Sequence, residues 1–310
     1  MILCKKNFLQ HIITSYLQDK KWLMDTEITI TTFNSLNNPD RKEERVEALF
    51  QELEAHGSQI VLLQEVLTQT LPLIQAQAHI KGWHVSVGEQ AVSNPSKISG
   101  NVTLSRYPIE SQFNLHTPPA DGRLYIPTLI THFTNNITAI NAHLVWGGDA
   151  EQYRLETAYQ INLFATYLKE QEPDRLIVVG GDFNAGFNSA TLRYLNGDHV
   201  YKNTSTFWTN AWDFAEETFP TARKDGGWAE TTANNVGIGR PDLMPTRTID
   251  HLLVFGWNYG KKHCPMELTR FGETILSNGY GLSDHYGLTS KIALVRPETM
   301  HQAPLLAAVG

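Results

Sequence analysis

Cysteine is scarce in this sequence, with only two residues, Cys4 and Cys264, among 310. Two cysteines cannot build the disulfide framework of a small secreted domain, and they cannot form a metal site made of several thiolates. A reduced, cytoplasmic setting is therefore expected, although secretion without a signal peptide stays open as an alternative.

Long hydrophobic runs are also missing, since no apolar segment approaches the roughly 18 residues that a membrane-spanning helix needs. Lys5 and Lys6 precede a short mixed segment that lacks a small-residue cleavage site, so no signal peptide is predicted. We interpret residues 1–24 as an N-terminal leader, either helical or disordered, that comes before the regularly patterned chain. Contact of this leader with a membrane surface is the alternative to a solvated lead-in.

Positive charge is not in excess, because the formal net charge is −7 and the sequence pI is about 5.9. Proteins that bind nucleic acid without sequence preference usually carry a basic excess. A local basic groove or bound divalent cations can offset an acidic total, so a nucleic-acid substrate is not excluded. With 41% hydrophobic residues, the chain can form one large α/β domain or two smaller ones.

Short β-branched runs alternate with longer amphipathic patterns along the chain. Predicted strands cover residues 27–33, 60–63, 83–87, 102–104, 109–115, 124–133, 137–142, 176–179, 248–255 and 287–295. Predicted helices cover residues 41–56, 67–79 and 150–169. Because the strands are joined both by helices and by hairpins, this order predicts a mixed α/β sheet architecture rather than an all-β barrel.

The stretch at residues 178–185 reads V-V-G-G-D-F-N-A and is the strongest local signal. It begins as a buried strand, and the two glycines are predicted to end that strand and to allow a close backbone approach. Asp182 and Asn184 lie two positions apart, so in an extended segment both side chains leave the same face. A carboxylate beside an amide suits the handling of a water molecule next to a metal ion.

Polar side chains follow or interrupt other apolar strands in the same way. The full set is Asn34, Glu65, His143, Asp182, Asn184, Asp250, Asp284 and His285. Taken singly, each also fits a structural role, such as a turn cap, a helix-start carboxylate or a buried histidine. Their joint occurrence at strand ends favours an enzyme site, since sheet-based enzymes collect their chemistry there.

The sequence resembles the endonuclease/exonuclease/phosphatase superfamily, which includes DNase I, abasic-site endonucleases, neutral sphingomyelinases and inositol polyphosphate phosphatases. The matching segments occur in the family's order. They are T-F-N-S-L at 32–36, V-L-L-Q-E-V at 61–66, L-S-R-Y-P-I at 104–109, N-A-H-L at 141–144, G-G-D-F-N-A at 180–185, T-I-D-H-L-L at 248–253 and L-S-D-H-Y-G-L at 282–288. The resemblance implies a four-layer α/β sandwich, with two packed mixed β-sheets flanked by helices and the site at one edge.

The domain organisation follows from these segments and from composition. We place the catalytic domain at residues 25–296 and a solvated tail at 297–310. Residues 201–245 are rich in tryptophan and in turn residues and show no sustained period, so we interpret them as a packed, aromatic-rich insertion lobe that faces the substrate.

The resemblance also implies a divalent metal ion. Glu65 is implied to ligate Mg²⁺, with Mn²⁺ as a substitute, and Asn34 and Asp284 are implied to lie close to the ion. Carboxylate and water oxygens are the ligands that Mg²⁺ prefers.

The remaining site residues are implied to act on the phosphate and on the attacking water. Asp182 and Asn184 orient or activate this water and hold a phosphate oxygen. Asp250 accepts a hydrogen bond from His285 and so fixes its tautomer. His285 contacts the scissile phosphate or serves as base, and His143 binds the phosphate or assists the leaving group. Whether Asp182 or His285 is the general base stays open.

The substrate is less clearly specified than the reaction. We predict a phosphodiesterase, with a nuclease acting on DNA or RNA slightly favoured over a sphingomyelinase-like lipid hydrolase. The nuclease interpretation uses possible phosphate contacts at Arg123, Arg223, Lys224, Arg240 and Arg247.

The lipid alternative uses aromatics of the insertion lobe, Phe207, Trp208 and Trp228, as membrane contacts, although packing within the lobe is favoured for them. A phosphomonoesterase ranks third, because His251 stands where inositol phosphatases typically have an arginine. A binding module without activity is disfavoured because the polar set is intact. No stable protein partner is predicted, and contact with a membrane surface stays open.

Overall fold

The computed structural model describes residues 27–94, 97–222, 247–258 and 263–294. The predicted leader and tail lie outside these residues, as do Trp228, Arg223, Lys224 and Arg240 of the insertion lobe. None of the described helices is long and apolar enough to cross a membrane.

The described strands form two six-stranded mixed sheets. The first sheet has the order β11-β12-β1-β2-β4-β3 and the second the order β5-β6-β7-β8-β10-β9. The strands of the first sheet are β1 (Glu27–Asn34), β2 (Ile60–Leu67), β3 (His84–Asn94), β4 (Lys97–Ser105), β11 (Pro265–Phe271) and β12 (Gly287–Ala293). Those of the second are β5 (Ile109–Leu115), β6 (Thr128–Phe133), β7 (Ile137–His143), β8 (Leu176–Asp182), β9 (Trp208–Asn210) and β10 (Asp250–Phe255).

Helices cover the outer faces of both sheets, which confirms the predicted four-layer arrangement. The helices are α1 (Lys42–Ala55), α2 (Leu71–Ile80), α3 (Glu151–Gln171), α4 (Ala190–Leu195) and a 3₁₀ helix (Ala211–Phe214). Apolar side chains of α1 and α2 pack on the first sheet, and those of α3 and α4 pack on the second. Between the sheets, Ile30 and Leu62 meet Val178 and Leu252 in a third apolar cluster. Each such side chain contributes roughly 1.5–3 kcal/mol by leaving water.

Two buried amides cross the interface between the sheets close to the site. The Nδ2 of Asn141 on β7 donates to the carbonyl oxygens of Leu63 at 3.1 Å and Val102 at 3.0 Å. The Nε2 of Gln64 on β2 donates to Oδ1 of Asn141 at 2.8 Å. A shift of one sheet against the other would leave these buried groups unpaired, so they fix the register of the two layers.

The prediction that the two glycines end the central strand is wrong, because β8 continues through Gly180 and Gly181 to Asp182. The close backbone approach is present, however. A Cβ atom built on Gly181 would lie 1.7 Å from the carbonyl oxygen of Ala142, and the residue has φ +154°. Only glycine fits this contact, which brings β7 and β8 together where both end.

The described part of the predicted insertion lobe, residues 201–222, contains regular structure. Trp208 lies in β9, at the edge of the second sheet, and is fully buried. Phe207 stacks on Trp257 with a centroid distance of 4.4 Å. Strand β11 and helix α4 also lie in segments for which the sequence pattern predicted no element.

Candidate active site

The carboxyl ends of parallel strands bring the site together at one edge of the sandwich. Asn34 ends β1, His143 ends β7 and Asp182 ends β8, with His143 and Asp182 directly opposite each other in the ladder. Asp250 begins β10 and pairs antiparallel with Asp182. Both sheets therefore contribute to one site, at the position that the strand-end pattern predicted.

Glu65 is directed toward the site by a bulge in its strand. The pairing of β2 with β4 shifts register between Leu63 and Val66, and Glu65 itself has φ +58°. Such a bulge re-aims a side chain, and a left-handed non-glycine residue is a form of strain that clusters at functional sites. The Oε1 of Glu65 accepts from Nδ2 of Asn34 at 3.1 Å, and its Oε2 accepts from the backbone N–H of Asn37 at 2.9 Å.

Asp182 lies at the centre of the site and is only 2% exposed. Its Oδ2 accepts from Nδ2 of Asn34 at 3.0 Å. The same oxygen lies 3.6 Å from Nε2 of His143 and 3.7 Å from Nε2 of His285. Both imidazole nitrogens therefore face the carboxylate, but at distances longer than a hydrogen bond.

His285 forms a buried pair with Asp250, the contact that the family resemblance implied. Its Nδ1 lies 2.9 Å from Oδ2 of Asp250, and Oγ1 of Thr221 accepts from the backbone N–H of Asp250. Burial alone would lower the pKa of His285, but the carboxylates of Asp250 and Asp182 outweigh it and raise that pKa well above its usual value. The imidazolium form is therefore favoured.

Asp284 lies next to the same cluster, on the segment that links β11 to β12. Burial raises the pKa of its carboxyl group, and the nearby charge of Glu65 raises it further, against an opposing effect of His285. Two carboxylates held close together favour a bound cation, which would relieve their repulsion.

Asn184 does not share a face with Asp182, contrary to the prediction for an extended segment. The chain leaves the strand at Asp182, and Asn184 takes the left-handed conformation with φ +50°. Its backbone N–H donates to Oδ1 of Asp182 at 2.8 Å, and its Nδ2 donates to the carbonyl oxygen of Leu144 at 2.9 Å. The side chain thus connects the ends of β7 and β8, and its role toward a phosphate stays a prediction.

Arg45 is a site residue that the sequence analysis missed. Its guanidinium is buried and donates to the carbonyl oxygens of Leu282, Asn38 and Ser35, which lie on the segment that carries Asp284 and on the loop that follows Asn34. Burial lowers the pKa of Arg45 to about 10. The signal was present, because position 45 lies one helical turn before Leu49, on the apolar side of the predicted helix.

His251, beside Asp250, is fully buried and keeps its imidazole neutral. Its Nε2 lies 2.8 Å from the carbonyl oxygen of Ala185, and its ring packs on Phe183 and Phe187. Burial lowers the pKa of His251 to about 4. The histidine thus supports the segment that follows β8 and does not enter the cluster.

This depressed pKa predicts an acid-sensitive fold. In the unfolded chain, His251 binds a proton with a pKa of about 6.5, whereas in the folded chain it does so only near pH 4. The free energy of unfolding therefore keeps its full value above about pH 6.5 and decreases as the pH falls toward 4. The difference between a pKa of about 6.5 in the unfolded chain and about 4 in the folded chain corresponds to a loss of about 3 kcal/mol. Urea unfolding of wild type and His251→Gln at pH 7 and pH 4.5 tests this. Wild type should lose more stability than the variant on acidification, and equal losses would contradict the assignment.

The carboxylates and imidazoles of the cluster can hold a divalent cation. One ligand atom from each of Glu65, His143 and Asp182 lies within 4.8 Å of the others, and the same holds for Asp182, Asp250 and His285. Three residues were predicted to surround the metal. Glu65 belongs to the first group, Asn34 donates a hydrogen bond to Glu65, and Asp284 lies next to the cluster. An oxygen-rich set with one imidazole fits a divalent ion.

Comparison with known proteins identifies the family of this chain. The sequence model of the Endonuclease/Exonuclease/phosphatase family matches residues 31–285. The chain belongs to this family. Like the other members of the endonuclease/exonuclease/phosphatase family, which in general depend on divalent metal ions, it is an enzyme that hydrolyses phosphoric esters.

Solved structures of the endonuclease/exonuclease/phosphatase family share the fold at low identity. The complex of D. rerio TDP2 with a single-strand DNA product is 16% identical with a TM-score of 0.61, over 86% of this chain and 99% of that chain. A family protein from Bacteroides vulgatus is 18% identical with a TM-score of 0.62, over 87% and 100%. The human Nocturnin catalytic domain with bound sulfate is 14% identical with a TM-score of 0.59, over 88% and 96%. No curated protein sequence matches the chain.

Proposed function

We propose that this protein is a Mg²⁺-dependent phosphodiesterase that cleaves nucleic acid. The observation that carries the proposal is the single cluster at the edge of the sandwich, where two imidazoles face one buried carboxylate beside a second carboxylate and an amide. Cleavage of a phosphodiester requires a positioned water, neutralisation of charge on the non-bridging oxygens and a proton for the leaving oxygen.

Glu65, with Asn34 and Asp284 beside it, is the group that would hold the Mg²⁺. Once bound, the ion would neutralise charge on a phosphate oxygen. Asn34 donates to both Glu65 and Asp182 and so holds the two carboxylates in fixed relation to each other.

Asp182 is assigned as the general base. Its Oδ2 lies at the centre of the cluster, where it can accept a proton from an attacking water. His285 lies between Asp250 and Asp182, an arrangement that favours its charged form, so we assign its Nε2 to a non-bridging oxygen of the phosphate. His143, on the adjacent strand, presents its Nε2 to the same space and is assigned to the phosphate or the leaving oxygen.

Nucleic acid is favoured over lipid as the substrate for two reasons. The D. rerio TDP2 structure, which has the same fold, holds a single-strand DNA product. Two of the aromatics that the lipid alternative requires are occupied elsewhere, since Trp208 is fully buried and Phe207 stacks on Trp257. A membrane contact would need such rings to be free.

Metal removal gives the first test. Purified protein is expected to nick supercoiled plasmid and to shorten single-stranded oligonucleotides in Mg²⁺, and to lose at least about 100-fold of this activity in EDTA. Activity should return with Mg²⁺ or Mn²⁺. Activity that returned with Zn²⁺ but not with Mg²⁺ would indicate an imidazole-based zinc centre instead.

His285→Ala protein is the control for a contaminating nuclease, because only cleavage by the assigned site should depend on that residue. Nicking that persists unchanged in His285→Ala would belong to a contaminant. Hydrolysis of sphingomyelin vesicles without cleavage of any nucleic acid would reject the nuclease and favour the lipid alternative.

A further inference from the structure

One tryptophan beside the active site is exposed to solvent. Trp146 is 75% exposed, whereas Trp83, Trp208 and Trp212 are at most 7% exposed. It follows His143 by three residues, so the two Cα atoms are at most about 10 Å apart. An aromatic ring of this size is usually buried to a large extent, so its display at the rim of a site points to a ligand.

The backbone around Trp146 is fixed on both sides. The buried side chain of Arg154 on α3 donates from Nη1 to the carbonyl oxygen of Val145 at 2.9 Å and to that of Gly147 at 2.7 Å. Gly147 itself has φ +117°, a conformation that suits glycine. The ring is therefore presented by a backbone that is held on both sides.

The same loop is tied to the catalytic segment and to a neighbouring loop. Asn184 donates to the carbonyl oxygen of Leu144 at 2.9 Å. Arg123 binds both carboxylate oxygens of Asp149, at 3.0 and 2.9 Å. These bonds place the loop in a defined position relative to Asp182, so binding at the indole requires little further ordering.

The charges of this loop distinguish between possible ligands. Arg123 is paired with both Asp121 and Asp149, and Glu151 follows in the first turn of α3. An aromatic membrane anchor normally acts together with lysine or arginine that attracts anionic lipid. Arg123 and Arg154 are both paired with carboxylates and are not available to attract lipid, whereas stacking on the face of a nucleobase does not depend on such a cation.

We propose that Trp146 is a specificity-determining residue that stacks on an unpaired nucleobase next to the scissile phosphate. This inference rests on the proposed nuclease function and gives that function a substrate class, single-stranded or locally unpaired nucleic acid. A paired base presents its face to its neighbours in the duplex, so it is not accessible to the indole unless it is unstacked.

Steady-state cleavage of a short single-stranded oligonucleotide in Mg²⁺ tests the proposal. Trp146→Ala should raise KM roughly 5- to 150-fold, which corresponds to the loss of one stacked base, with a smaller change in kcat. Trp146→Phe should retain most of the affinity, and Trp146→Leu should not. Trp257→Ala is the matched control, because Trp257 is also exposed but follows the far end of β10.

A second substrate series locates the base. Each oligonucleotide of this series lacks one base. Wild type should cleave one of these oligonucleotides less efficiently than the intact substrate. Trp146→Ala should cleave that same oligonucleotide as efficiently as it cleaves the intact substrate. If wild type cleaves oligonucleotides and Trp146→Ala equals it in KM, the stacking role is overturned while the nuclease function stands. If wild type cleaves no oligonucleotide, the proposed function fails and the stacking role with it. A blue-shifted emission on phosphatidylserine vesicles, absent from Trp146→Phe, would also overturn it.

Discussion

Replacing Asp182 with asparagine is expected to lower kcat/KM by roughly 10³- to 10⁴-fold while leaving the fold intact. The change keeps the shape of the side chain and an acceptor oxygen toward Asn34, although the bond from the backbone N–H of Asn184 is then lost, and it removes the negative charge that both histidines face. The variant can neither take a proton from water nor orient the two imidazoles as before. Circular dichroism and a urea denaturation curve close to those of wild type would confirm that only the chemistry has changed.

Asp198→Asn is the matched control for this result. Asp198 is an exposed residue three positions after α4, and both of its bonds to Arg193 are made by its backbone: its N–H donates to the Arg193 carbonyl oxygen at 2.7 Å, and its carbonyl oxygen accepts from Nη2 at 3.2 Å. The Asp198→Asn variant should cleave substrate as efficiently as wild type. A loss smaller than about 10-fold in Asp182→Asn would show that another group is the base, and His285 would then be the remaining candidate.

Replacing Gly181 with alanine is expected to destabilise the protein by about 4 kcal/mol or more, or to prevent folding. The added Cβ would lie 1.7 Å from the carbonyl oxygen of Ala142, which belongs to the backbone of the neighbouring strand and cannot rotate away. To accommodate it, β7 and β8 would have to separate at the residues that end in His143 and Asp182. The soluble fraction after expression and the urea midpoint measure the effect.

Gly186→Ala is the comparison that isolates the cause. Its added Cβ would lie 3.7 Å from the carbonyl oxygen of Thr248, an ordinary contact, five residues further along the same segment. We expect its stability to stay within about 0.5 kcal/mol of wild type. Equal behaviour of the two variants would show that the contact at Gly181 does not limit the fold.

The position of the site was predictable because strand ends are visible in sequence. Apolar runs that stop at a polar residue mark where strands end, and parallel neighbours such as β1 and β2, or β7 and β8, end at the same edge. The family resemblance added the pairing of Asp250 with His285, which local spacing alone cannot provide because 35 positions separate the two residues.

The directions of individual side chains were not predictable in the same way. The face assigned to Asn184 assumed an extended backbone, but its left-handed conformation turns the amide toward Leu144. The bulge that aims Glu65 depends on how β2 pairs with β4, which is a long-range property. Arg45 was missed because a charge on an apolar helix face is ordinarily read as the edge of that face.

The two described strands that the sequence pattern missed, β9 and β11, both lie at sheet edges. Strand β9 has only three residues, too few for an alternating pattern, and its tryptophan is buried by neighbours distant in sequence. Strand β11 begins with Pro265, and its pairing with β12 shifts register near that end. Edge strands of this kind carry a weak signal, since only part of their surface is covered.

The pairing of β1 with β12 has a consequence for the moment at which activity appears. Glu27 lies opposite Ala293, so the first sheet cannot close until nearly every other strand has been synthesised, and contacts of such long range form slowly. Asp284 and His285 come immediately before β12 and reach their places with it. A chain still on the ribosome, with β12 not yet released, therefore has Glu65 and Asp182 but lacks His285 at the site. We expect such a chain to lack phosphoesterase activity until β12 has paired.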